Sequence, residues 1–304
     1  MTRQKKTVSR PRSRRPAAKA SPGRHLRFLR ALLVSTLTSF GVATCALHPQ
    51  TPLPASVSQV VDQVRQWIPG QDESLAPSAV PAPSGLAQTR FADCPQFFPQ
   101  GGMPQVPGGA AQRELCLSGF AILHNGQTKT PVFVVERLNR RLLAQGKGLP
   151  RTDRFYAEAR LPSAERAALS DYKNSGYSRG HMAPAGDMYD AQTMAQSFSL
   201  ANMVPQDQRH NAGAWSRIEQ DTRKYIQRAQ GDVYVFTGPV YEGSPKTIGN
   251  GVAVPTHLFK VVHDPVAAKT WVHWHANRPD TQVGPPISYT EFVRRTGLYL
   301  LPKG

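Results

Sequence analysis

The chain has 304 residues and a hydrophobic content of 39%, long and apolar enough to bury a sizeable core, which excludes a globally disordered protein. Its formal charge of +17 at pH 7 is unevenly placed: 11 of the 37 lysines and arginines stand in the first 30 residues, where no acid occurs, and the other 26 face 20 acidic residues, a remainder of +6. A surplus that small fits an acidic polymer as partner but does not by itself name one.

In chain order, a basic stretch from Arg3 to Arg30 is followed by an apolar run from Ala31 to Leu47 that ends in the small residues Ala43, Thr44, Cys45 and Ala46. This reads as a bacterial export signal over 1–47, which predicts a periplasmic or secreted protein. Ser35, Thr36, Thr38 and Ser39 dilute the run below an ordinary membrane span; left uncleaved, residues 31–47 would serve as a weak inner-membrane anchor. Residues 48–88 are rich in Pro, Ala, Ser and Gln and read as a linker, interrupted by one patch of helical spacing at Val57, Val60, Val61, Val64 and Ile68. From there on the texture is that of one compact domain, 89–304. Outside the leader the cysteines are Cys94 and Cys116, an even number that predicts a disulfide and an oxidising compartment over two buried thiols.

Within the domain, Phe120 to His124 and Pro131 to Val135 predict a hairpin about an Asn-Gly turn. The stretch "GDVYVFTGPVY" predicts a buried strand ending in a Gly-Pro turn, and "VAVPTHLFKVVHD" and "TWVHWHANR" predict further strands. "NAGAWSRIEQDTRKYIQRAQG" predicts the strongest helix, entered at Asn211 and closed by Gly231. The mixture is α+β with a central, largely antiparallel sheet flanked by helices.

That helix is informative. Advancing about 100° per residue from Asn211, Trp215, Ile218, Tyr225 and Ile226 share one apolar stripe, while Glu219 and Arg223 border it. Taken alone, Asn211 would be a helix cap and Glu219 with Arg223 a solvated i,i+4 pair. "SGYSRGHMAPAGDM" changes the balance. Gly180 permits close backbone approach, Arg179 offers a planar fork for phosphate, and His181 is a base that titrates near neutrality, so the three together suit phosphodiester chemistry. His273 and His275 share one strand face without an evident third ligand and read as strand packing; His210 carries no role.

The two stretches "SGYSRGHMAPAGDM" and "ANMVPQDQRHNAGAWSRIEQDTRKY", in that order, resemble the DNA/RNA non-specific endonucleases of the ββα-metal (His-Me finger) fold, a likeness extending over most of 91–302. The resemblance implies a magnesium-dependent endonuclease, with manganese as a substitute, that cuts DNA and RNA to 5′-phosphate ends. It implies that His181 is the general base, Asn211 the protein ligand of the metal, Glu219 an acid orienting metal-bound water, Arg223 a phosphate contact and Arg179 a further phosphate or structural contact. A further arginine, expected about thirty residues before the histidine, falls on Arg151, with Arg154 as the alternative. A homodimer is an assembly the resemblance admits. Ser178 departs from the pattern, standing where the family's motif commonly has Asp, so a charge is missing at that corner. Exonuclease or other phosphodiesterase action on the same scaffold, and a catalytically weakened nucleic-acid-binding module, are the competing readings.

Overall fold

The computed structural model describes residues 85–302; the leader, most of the expected linker and its Val57–Ile68 patch lie outside the described residues. In chain order the elements are β1 (Leu86–Gln88), β2 (Gln105–Pro107), β3 (Gln112–Cys116), β4 (Phe120–Asn125), β5 (Thr130–Leu138), α1 (Arg140–Gln145), α2 (Leu169–Tyr172) and β6 (Ser178–His181). They continue with α3 (Ala191–Ser197), β7 (Met203–Gln206), α4 (Gln208–His210), a π turn (Asn211–Trp215), α5 (Ser216–Ile226), β8 (Val233–Val240), β9 (Thr247–Ile248), β10 (Val252–Ala253), β11 (His257–Asp264), β12 (Lys269–Ala276) and α6 (Tyr289–Thr296). Among the described residues no helix is long and apolar enough to cross a membrane.

The centre is a six-stranded sheet in the order β12-β11-β8-β5-β4-β3, antiparallel at every pairing. Its strands are buried on both faces, so their side chains alternate between two cores rather than between core and water. One face, with Phe133, Val135, Phe236, Phe259, Val261 and Val272, is covered by Phe91, Phe98 and, from α6 and the tail after it, Phe292, Leu298 and Leu300. The opposite face, with Ile122, Val134 and Leu258, receives Trp215 and Ile218, and further along Val235 and Val262 receive Ile226 and Leu143. The apolar stripe expected on the 211–226 helix is therefore the seam by which α5 joins the sheet. Burying Trp215, Ile218 and Ile226 contributes on the order of 2 kcal/mol each.

Several boundaries differ from expectation. Leu86–Gln88, read as the end of the linker, pairs as β1 with β2. The β4–β5 hairpin forms, with a bulge between Leu123 and His124, and closes through the loop 126–129 with Lys129 at φ 56° rather than by a two-residue turn. Gly238 and Pro239 do not end β8: its pairing with β11 runs on to Val240, whereas its pairing with β5 stops at Thr237. Pro239, which has no N–H, thus sits where the β5 side has already ended. Gly238 is required there, because a Cβ would overlap the Val132 carbonyl oxygen and the Phe259 ring. The long helix ends at Ile226 with Gln227 as its cap, not at Gly231.

Cys94 and Cys116 form the disulfide, tying the segment before β2 to the edge strand β3 across a separation of 22 residues. Closing that loop removes about 3 kcal/mol of unfolded-chain entropy. A Cys94→Ala/Cys116→Ala variant is expected to lose roughly that much stability in urea unfolding; an unchanged midpoint would mean that the loop is already ordered in the unfolded chain.

Candidate active site

A two-stranded hairpin stands apart from the main sheet, β6 pairing antiparallel with β7 so that Arg179 lies opposite Pro205, Gly180 opposite Val204 and His181 opposite Met203. A Cβ on Gly180 would strike the side-chain oxygen of the buried Gln206, so this glycine is needed for close approach and not for an unusual φ. The hairpin floor rests on Leu200, Met203, Val252 and Val254. It delivers His181 at the end of β6, and β7 leads through the N-cap Asp207 directly into α4, the π turn and α5, completing a ββα unit.

His181 is 9% exposed, its ring edge-on to Phe198 at 5.1 Å and tilted against Phe155 at 5.8 Å. Of its two nitrogens Nε2 is fully enclosed without a partner, whereas Nδ1 is not enclosed. Burial, and next the charge of Arg151, push its pKa down to about 3, against a small opposing pull from Asp153. The imidazole is therefore neutral at every physiological pH, and with the proton on Nε2 it presents a free lone pair at Nδ1.

Two arginines lie over the rings that enclose His181, and a third, Arg223, stands on α5. Arg179 lies over the Phe155 ring at 4.1 Å and makes no ion pair among the described residues, so its N–H fork is available to an anion. Arg151 lies over Phe198 at 5.1 Å, donates to Asp153 at 2.6 Å, and its charge is felt by both His181 and Glu219. Of the two arginines expected from the sequence it is thus Arg151 that the fold brings to His181; Arg154 is exposed and has no such contact. Arg223 donates to Asp187 at 2.7 Å. Ser178 begins β6 opposite Gln206.

Asn211 is not the helix cap. Asp207 caps, accepting from the amides of Arg209 and His210, and Asn211 opens a π turn between α4 and α5. Its carboxamide is partly exposed and forms no hydrogen bond among the described residues. One inserted residue in a helix turns a side chain out of the ordinary phase, and such turns recur at functional sites. Two turns on, Glu219 is held against the sheet. Burial raises its carboxyl to about 7; Lys260 opposes this, Asp187 adds to it, and Arg223 and Arg151 oppose it.

The sequence reading missed three members of the cluster. Asp187 is 4% exposed as a side chain and bonds Arg223. Glu136 on β5 and Lys260 on β11 are each 1% exposed and project from the sheet toward α5. Lys260 interrupts the apolar run of β11, and Glu136 stands beside Arg137 at the end of the apolar run of β5, where it reads as an ordinary strand-end charge. Such a residue on a doubly covered strand was nevertheless a signal that a charge is buried.

A lone carboxamide without a protein partner suits a hard, water-rich divalent cation, which keeps several waters and takes few protein ligands. Among the described residues no group of three or more His, Cys, Asp or Glu converges as in a closed protein cage. Asn211 therefore fits such an ion through its side-chain oxygen, with room for water and phosphate oxygens.

Residues 101–290 match the family model described as DNA/RNA non-specific endonuclease, well over half of the chain. The chain belongs to that family. It is 35% identical over 161 residues to the human mitochondrial nuclease EXOG, an alignment spanning 48% of this chain and 43% of that protein. It is 33% identical over 181 residues to the mitochondrial nuclease 1 of Schizosaccharomyces pombe, 55% of this chain and 54% of that one. With nuclease C1 of Cunninghamella echinulata it shares 32% over 197 residues, 60% of this chain and 78% of the relative. The chain thus spans about half the length of the mitochondrial relatives it matches. In structure it resembles the EndoG/EndoGI complex, with a TM-score of 0.59, 27% identity, 69% of this chain covered and 90% of that one. The family's ββα fold agrees with the architecture described above.

The Arg223–Asp187 pair ties α5 to the turn that follows β6. Asp187→Ala would leave a largely buried guanidinium without its carboxylate and is expected to cost about 3 kcal/mol. Asp187→Asn, which keeps an acceptor, should lose clearly less in the same unfolding measurement; equal losses would assign the effect to packing.

Proposed function

We propose that this protein is a magnesium-dependent endonuclease that hydrolyses DNA and RNA with little regard to sugar or sequence. The observation that carries the reading is the enclosure of His181 by Phe155 and Phe198 with Arg179 and Arg151 lying over those same rings, on a hairpin that leads directly into the helix bearing Asn211 and Glu219. In this reading His181 Nδ1 takes the proton of the attacking water, which is general-base catalysis. Arg179, Arg151 and Arg223 bind and neutralise the phosphoryl oxygens, and the arriving phosphate offsets the Arg151 charge that holds the imidazole basicity down. Glu219, as a carboxylate, orients water on the metal side. A magnesium or manganese ion held by Asn211 would supply charge neutralisation at the phosphate and at the departing 3′ oxygen. The products are 5′-phosphate and 3′-hydroxyl ends.

An external water as nucleophile makes the ribose 2′-hydroxyl unnecessary, and contacts to the backbone alone carry no base information. The absence of a charge at Ser178 is compatible with activity in this reading, because none of the roles given to His181, Asn211, Glu219 and Arg223 requires it. The basic leader with its apolar run and the Cys94–Cys116 disulfide support export to an oxidising compartment, periplasmic or external.

Supercoiled plasmid, linear DNA and RNA incubated with magnesium or with EDTA test the reading. Magnesium-dependent nicking of the plasmid is expected; trimming from ends would make the protein an exonuclease, and binding without cleavage would make it a binding module. His181→Ala should lower the rate by about a thousandfold with the fold and DNA binding retained, and Asn211→Ala should raise the magnesium requirement. Wild-type rates in both variants would refute the assignment.

Metal binding should also be coupled to protons. A carboxyl raised to about 7 is partly protonated at neutral pH, and a nearby cation favours its ionised form, so magnesium affinity is expected to fall as the pH drops below 7. Calorimetry in buffers of different ionisation enthalpy would measure the released proton, and Glu219→Gln should abolish its release.

A further inference from the structure

Lys260 is an expensive residue in an unusual place. It stands on β11 between Leu258 and Val262, on the sheet face that α5 covers, and only 1% of it reaches solvent. Its ammonium donates to Thr237 Oγ1 at 2.7 Å and lies 5.5 Å from the centre of the Trp215 ring, and no carboxylate stands within ion-pair distance among the described residues. A buried ammonium is tolerated only where nearby negative charge or aromatic faces offset its lost hydration. Two carboxyls are near enough to feel it, Glu136 from the neighbouring β5 and Glu219 from α5 above.

These two are not equivalent. Glu136 is 1% exposed and neither of its oxygens has a hydrogen-bond partner, an environment that an ionised carboxylate could not endure. Burial first and Asp187 second hold its carboxyl well above the ordinary range, against Lys260 and Arg223. Three carboxyls (Glu136, Asp187, Glu219) meet three cations, Lys260, Arg223 and, at Glu219, Arg151; Arg223 is bonded to Asp187 and Arg151 to Asp153. Burial disfavours the charged form of Glu136, so Glu219 on the helix above is the carboxyl left to answer Lys260. From the far side His273 on β12 also feels Lys260 and is held neutral, chiefly by burial.

We propose that Lys260 is a positioning residue for the cleavage reaction: from beneath α5 it attracts the Glu219 carboxyl, one turn beyond Trp215, and through Trp215 it props the π turn that presents Asn211. Trp215 is the last residue of that turn and is fully buried, so the lysine and the turn meet at one ring. The inference rests on the nuclease reading for its catalytic consequence, but the Lys260–Glu219 link itself does not.

The test pairs kinetics with a readout that needs no cleavage. Lys260→Met keeps length and removes charge. It is expected to lower kcat at least about tenfold with KM within threefold, and to move the acid limb of the pH–rate profile up by about one unit. In metal-free protein with 13C-labelled glutamate, the Glu219 carboxyl, identified by its loss in Glu219→Gln, should titrate at higher pH in Lys260→Met than in wild type. Glu136→Gln should leave both the rate and the Glu219 titration unchanged. Wild-type kcat and an unmoved Glu219 in Lys260→Met would overturn the proposal. So would a Glu136→Gln variant that shifts Glu219, since Lys260 would then serve Glu136. Should Lys260→Met not fold, Thr237→Val decides, because it removes only the acceptor of the ammonium: a smaller Glu219 shift in the same direction supports the proposal, and none overturns it. If wild type cleaves no nucleic acid, the nuclease reading fails while the titration still reports on the link.

Discussion

The contact on which the rest depends is the burial of one helix stripe, Trp215, Ile218 and Ile226, against the sheet. It is an apolar interface with charges set into it. Had α5 been seated by apolar residues alone, its flank would face water and Glu219 and Arg223 would be an ordinary solvated pair worth a few tenths of a kcal/mol. Instead the sheet rises to meet them with Glu136, Thr237 and Lys260, and the turn after β6 brings Asp187. Electrostatic interactions that water would flatten are thereby preserved, because the medium between these groups is protein.

Such an arrangement is poor economy for folding and good preparation for chemistry. Replacing buried charges by apolar residues of similar size is often neutral or stabilising, so a buried lysine without a carboxylate in ion-pair distance is not explained by stability. It is explained if what matters is the carboxyl of Glu219 above it. The same logic applies to His181, whose enclosure between Phe155 and Phe198 gives away basicity. An anion beside Arg151 and Arg179 would offset the arginine charge and return part of that loss.

Much of this was legible in the chain. The strands of β4, β5, β8, β11 and β12 announce themselves by β-branched and aromatic runs, and the stripe on α5 by its spacing. His181, Asn211, Glu219 and Arg223 stand in two stretches whose residue types make sense only together. What could not be read has a common physical cause. The π turn at Asn211 follows from how Asp207 caps the helix and how Trp215 must reach the sheet, and no local propensity encodes an i to i+5 turn. Gly238 and Pro239 look like a turn until it is known that β5 stops pairing at Thr237. Glu136 and Lys260 lie 124 positions apart, and their common neighbourhood exists only after β5, β8 and β11 are laid side by side.

The hairpin and helix also explain why the two critical stretches can be separated by some thirty residues yet serve one site. β6 ends at His181, and the chain then leaves to form the Asp187 turn and α3 before returning as β7 alongside it. The excursion is anchored at three points: Asn202 bonds the backbone of Ala183 and Ser197, Asp190 caps α3, and Asp187 bonds Arg223. Its return fixes the register of β7 and therefore the starting angle of the helix that bears Asn211 and Glu219. The positions of His181 and of Asn211 are in this way set by one pairing of four residues with four, and a slip of a single residue there would turn His181 to the other face of the hairpin.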